Sequence, residues 1–145
     1  MKLRELTSYL ESFAPLALQE SYDNSGLLVG DPEQEIQQAL VCLDCTEAVV
    51  DEAIQTGCQV VIAHHPLIFK GLKKLTGSNY IERTILKPVR NDIALYAIHT
   101  NLDNVTGGVN GKIADRLNLG RRHVLSPKKG ELRKLAVFVP LKQAD

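Results

Sequence analysis

The chain reads as an α/β protein, a layered αβα lobe around a mostly parallel or mixed sheet. Three observations predict this. Apolar runs too continuous for a half-solvated strand occur at Val60-Val61-Ile62-Ala63 and at Ile93-Ala94-Leu95-Tyr96-Ala97-Ile98, the pattern of strands covered on both faces. Segments with three- and four-residue apolar spacing lie between such runs. Strand-like and helix-like segments also alternate along the chain, as they do when helices pack over a parallel sheet.

Element by element, Leu3, Leu6, Leu10 and Phe13 line one face of a helix over residues 2–13, and Pro15 ends it. Leu27-Leu28-Val29, between Gly26 and Gly30, predicts a short strand. Residues 39–44 (ALVCLD) predict a more continuous, buried strand. Thr46 is placed to cap a helix whose apolar face carries Val49, Val50, Ala53 and Ile54 and which stops at Gly57. After the strand at 60–63, a helix follows Asn79 with Ile81, Ile85 and Leu86 inward, and Pro88 predicts a kink or an early end. The strand at 93–98 comes next, then a helix over 109–118 that stops at Gly120. Residues 135–139 begin a further strand at the C-terminal edge, after a candidate linker at Ser126–Gly130.

Bulk properties narrow the function classes. In 145 residues, 17 basic side chains balance 17 acidic ones, which argues against a general nucleic-acid or anionic-membrane binder. Lys128, Lys129, Arg133 and Lys134 read as a solvated loop flanking a strand. No stretch approaches the roughly 18 apolar residues needed to span a bilayer. The N-terminus lacks a signal-peptide core, so a cytoplasmic protein is expected. Three cysteines, Cys42, Cys45 and Cys58, fit reduced thiols there. Cys42 and Cys45 form a C-x-x-C with no second pair to close a zinc site, so they read as buried structural thiols.

Chemistry gathers at two strand ends. The run 60–63 leads into His64-His65-Pro66, and the run 93–98 into His99-Thr-Asn-Leu-Asp103. In open α/β sheets ligands bind outside the carboxyl ends of strands, and imidazole and carboxylate are the donors of zinc, iron, manganese and nickel sites. His99 and Asp103 are expected on a loop, so their spacing alone proves nothing. A lone histidine at a strand end is usually a hydrogen-bonded loop residue, but an adjacent pair stiffened by proline is rarer. Asp23 and Asn24, just before the first strand, either line a pocket or form an Asx-type turn. Gly107-Gly108 suits tight loop packing better than anion binding, and His123 reads as a surface residue.

Taken together, SYDNSGLLVG (21–30), LDCTEAVVDEAI (43–54), AHHPLIF (63–69) and YAIHTNLDNVTGGVN (96–110) resemble the GTP cyclohydrolase I type 2 homologues, also called NIF-three-like proteins. The resemblance covers residues 1 to about 125. It implies a two-lobed protein that assembles into a toroidal hexamer around two divalent metal ions, zinc first among the candidates. It implies that His64 and His65 each bind a different ion, that Asp103 joins the ion of His65, and that His99 stands behind the ligands or helps catalysis. Asp23 and Asn24 match a polar motif near the site. The family completes its site with an H-x-x-x-E motif, and none follows Asp103 here. The chain is therefore expected to be a fragment: a metal-binding lobe over 1–130 and the start of a truncated ferredoxin-like insert over 131–145. On its own it is expected to bind metal weakly and to be inactive.

Two functions follow as expectations. One is a dinuclear metal-dependent hydrolase acting on GTP or another nucleotide-like small molecule. The other is a non-enzymatic metal-binding ring or a regulatory partner-binding protein.

Overall fold

The computed structural model describes residues 1–127. The strand expected at 135–139, the insert expected at 131–145 and the basic residues from Lys128 onward lie outside them. The sheet has four strands: β1 (Gly26–Val29), β2 (Ala39–Asp44), β3 (Val60–His65) and β4 (Ala94–Ala97), in the order β1-β4-β3-β2. β2, β3 and β4 run parallel, and β1 pairs antiparallel with β4. The sheet is therefore mixed, with its parallel part in the centre and at one edge.

Two helical layers cover it. On one face, α1 (Leu3–Phe13) brings Leu3, Leu6 and Leu10 onto Val60, Ile62, Ala94, Tyr96 and Ile98. On the other, α2 (Glu47–Thr56) brings Val50 and Ala53 onto Val61, Ala63 and Leu95. Alternation along β3 thus sends even-numbered residues to the α1 face and odd-numbered ones to the α2 face. The Thr46 side chain accepts from the Val49 amide at the start of α2, and Gly57 closes it in the left-handed conformation at φ 71°.

α3 (Tyr80–Arg90) continues two residues beyond Pro88. The proline sits in the last turn, where its missing N–H costs a single helical bond. Ile85 is buried, with Glu82 and Thr84 beside it.

Three expectations need correction. β2 is an edge strand, not a buried one: Val41 is 76% exposed and Leu43 61%. α1 reaches β3 and β4 but leaves this side of β2 bare. Cys42, on the α2 face of this edge strand, is half-buried, whereas Cys45, just past the strand, is buried. Finally, Thr100–Asn104, expected as a loop, forms a short helix, α4. α5 (Val109–Arg116) follows and ends two residues earlier than the spacing predicts. Gly108 sits between α4 and α5, and a Cβ there would fall 1.8 Å from the Leu102 carbonyl oxygen. Only glycine permits that approach, which fits the tight packing expected of this loop.

A cluster of three imidazoles with fixed tautomers

His64 and His65 end β3, and the strand's alternation sends them to opposite faces of the sheet. They meet again round its edge, with ring centroids 4.9 Å apart. His99 leaves β4 beside them, 5.3 Å from the ring of His64 and 5.5 Å from that of His65. One donor nitrogen from each of the three lies within 4.8 Å of the others. His99 also opens α4, where the amides of Leu102 and Asp103 donate to its carbonyl at 2.9 and 3.2 Å. That turn carries the Asp103 carboxylate to 3.9 Å from His64 Nε2. The contact is with His64, not with His65.

What lies behind each ring decides its chemistry. His64 Nδ1 is 2.9 Å from the Ile98 carbonyl, His65 Nδ1 is 2.7 Å from Asp44 Oδ1, and His99 Nδ1 is 2.8 Å from Asp23 Oδ1. A carbonyl and an ionised carboxylate can only accept, so each Nδ1 must carry the hydrogen. In the neutral imidazole, Nε2 is then a bare lone pair. Second-group fixation of this kind is how proteins orient metal-binding histidines.

Asp23 is the most heavily bonded of these supports, and its side chain is 0% exposed. Oδ1 accepts from His99 Nδ1 and the Asn24 amide; Oδ2 accepts from the Ser25 hydroxyl, the Thr100 amide and the Thr100 hydroxyl. Burial alone would raise its pKa. The bonds from His99, Thr100 and Asn24 outweigh it and hold the carboxyl well below the usual range. α4 is in turn tied to the segment before β1. Asn101 Nδ2 donates to the Ala14 carbonyl at 2.7 Å, and the Glu20 amide donates to Thr100 Oγ1 at 2.8 Å.

Asn24 turns away from the rings and donates to the Ile68 carbonyl at 2.6 Å, anchoring the loop after His65. Tyr22 and Phe69 pack beside that anchor, with ring centroids 6.3 Å apart. Cys45 belongs to the α2-face core, and burial, with Cys42 adding to it, pushes its thiol up to about 12. It is a protonated core thiol with no ligand character. His123 lies exposed, outside the cluster.

Sequence reasoning named all three histidines but missed Asp44 as the support of His65. The signal was thin: an aspartate ends the strand run 39–44 just as the histidine pair ends 60–65, and parallel pairing places Asp44 opposite His65. No helix among the described residues is long and apolar enough to cross a membrane.

The donor set suits a borderline divalent metal: three imidazole nitrogens with a carboxylate close by. Comparison with known proteins points the same way. The family model described as Duf34/NIF3 (NGG1p interacting factor 3) matches residues 1–144. A Clostridium acetobutylicum protein named GTP cyclohydrolase 1 type 2 homolog is 39% identical over 126 residues, 87% of this chain and 47% of its own length. A Bacillus subtilis protein of the same name is 41% identical over 138 residues, 94% of this chain and 37% of its own. Among solved structures, a Bacillus cereus protein related to NIF3 superposes with a TM-score of 0.82 at 44% identity, over 88% of this chain and 35% of that one. Reduced HcgD from Methanocaldococcus jannaschii gives 0.77 at 36% identity, over 83% and 48%. The chain thus spans less than half the length of the relatives it matches.

Proposed function

The chain belongs to the Duf34/NIF3 family, and from that premise we propose that it is the metal-binding half of a divalent-metal-dependent hydrolase. The observation that carries the proposal is the shared orientation of His64, His65 and His99. Each has Nδ1 tied back to an acceptor, which makes Nε2 the nitrogen without a hydrogen, and Asp103 stands 3.9 Å from His64 Nε2. A resident divalent ion supplies Lewis acidity and a water of lowered pKa. The chain's residues do the rest. Asp23, Asp44 and the Ile98 carbonyl fix the tautomers, and Asp103 brings negative charge to balance the cation. The Asn24–Ile68 bond holds the following loop, with Phe69 at its end, against the site.

The proposal extends to a two-ion centre of zinc, or else iron, manganese or nickel, with Asp103 as a ligand. It further includes a cytoplasmic toroidal homohexamer and a nucleotide-like substrate, GTP first. The names of the relatives support the substrate and the donor chemistry supports the metals; the ion count, the ring, the compartment and the role of Asp103 rest on the family resemblance. The test is metal analysis after zinc loading, followed by incubation of the full-length protein with GTP. Zinc uptake with a formylated or pterin-type product supports the whole reading. Zinc uptake without product removes the substrate and keeps the metal centre. Failure of zinc uptake removes both.

A further inference from the structure

Resting on the hydrolase reading, we propose that Tyr22 and Phe69 are the face on which the planar heterocycle of a nucleotide-like substrate stacks, beside the imidazoles. A single exposed aromatic side chain calls for no explanation. Here two stand together: Tyr22 is 63% exposed and Phe69 45%, and neither belongs to either core cluster. Their centroids are 6.3 Å apart with the planes tilted by 47°. Aromatic pairs prefer an offset stack or a perpendicular edge-to-face contact, and this pair adopts neither. The planes open as a wedge, and a third flat ring can fill it.

The wedge is fixed to the same parts that fix the histidines. Asp23, next to Tyr22, bonds His99 Nδ1 at 2.8 Å. Asn24 donates at 2.6 Å to the carbonyl of Ile68, next to Phe69. Two successive residues thus brace one ring of the cluster and one ring of the pair, and rings held this way bind a ligand with little ordering left to do. Phe69 lies 6.5 Å from His99 between centroids, at 75°. A flat ligand ring stacked on Phe69 at a carbon contact of about 3.5–4.0 Å therefore has its edge beside the imidazoles. The wedge is apolar and the cluster polar, so a ligand with an aromatic face and a reacting edge satisfies both. Stacking uses the π-face that every base possesses. The pair accordingly selects a class of ring, and groups at the ring's edge select among its members.

The test is calorimetric titration of the zinc-loaded full-length protein with GMP and with ribose 5-phosphate, which lacks the base. GMP should bind more tightly. Tyr22→Ala and Phe69→Ala should each weaken GMP by about 5- to 100-fold, the effect of removing a ring that stacks on a base, and leave ribose 5-phosphate as it was. Tyr22→Phe and Phe69→Tyr, which keep the ring, should bind GMP as the parent does. Zinc uptake should be the same in all four variants. A measurement on the unaltered protein is immune to misfolding of a variant: ring currents should move the base H8 resonance of GMP upfield on binding, and the ribose protons less. Parent-like GMP affinity in both alanine variants, as expected of rings that dock another protein, overturns the stacking face. So does an H8 resonance that stays in place, or zinc uptake lost from a folded alanine variant, since the ring would then serve the histidines. None of these results removes the metal centre from the parent. Failure of the parent to take up zinc removes the hydrolase reading, and GMP titration of the metal-free protein then decides the stacking face alone.

Discussion

Among the described residues, Glu82 is buried and the Asp23 side chain is fully enclosed; both carboxylates are saturated with hydrogen bonds, yet only Asp23 faces the imidazoles. Glu82, 3% exposed, accepts from the amides and hydroxyls of Thr76 and Ser78 and from Asn79 Nδ2. Asp23 accepts from two amides, two hydroxyls and one imidazole. The backbone and hydroxyl donors are alike in kind. The difference lies in the fifth partner. All of Glu82's donors belong to the loop and cap immediately before its own helix, so its bonds fix local backbone and nothing else. Asp23 reaches across 76 residues of chain to His99 and turns one ring toward two others. A buried, satisfied carboxylate therefore marks a site only when one of its donors has another atom left to offer.

The comparison can be broken in order of expected effect. Asp23→Ala should be the most damaging, at about 3–5 kcal/mol of stability, because buried donors lose an ionised acceptor. Zinc affinity should fall as well. Glu82→Ala should lower the urea midpoint by less and leave zinc affinity as it was. Equal loss of zinc binding in both variants would show that the two hubs do not differ as argued.

A pH series aimed at Glu82 sharpens the contrast. Backbone bonds from Thr76 and Ser78, then the Thr76 hydroxyl, lower the Glu82 carboxyl from 4.5 to about 2. A carboxyl depressed in the folded state binds protons more readily when unfolded. Its stabilisation is therefore complete above about pH 4.5 and is lost as pH falls toward 2. Urea midpoints measured across that range should decline for the parent, and Glu82→Gln should lack this part of the decline. A single neutral cap gives the lower bound of the series. Thr46→Ala, removing one bond to the Val49 amide, should cost about 1 kcal/mol by thermal unfolding.

Much of the architecture was legible in the chain itself. The apolar runs at 60–63 and 93–98 became the two central strands, and the periodic face Val50–Ala53 became the cover of the α2 side. Pairing position was not legible, because an apolar run does not say how many neighbours it has. ALVCLD reads like a central strand and lies at an edge, with Val41 and Leu43 bare. α4 escaped because five residues are too few to display a helical period. Of the site, the identities of His64, His65 and His99 were visible as strand-end residues. Their tautomers were not, since each depends on an acceptor 21, 34 or 76 positions away. Asn24 was read as either pocket or turn, and the structure uses it as a loop anchor.

One residue has two duties. The Ile98 amide donates to the Ala63 carbonyl at 3.0 Å, while its own carbonyl receives His64 Nδ1. The outermost rung between β3 and β4 and the protonation pattern of one imidazole are thus parts of the same object. Fraying there would release the ring to swap its two nitrogens, so the lifetime of that rung, readable as amide exchange at Ile98, sets how long His64 keeps its facing.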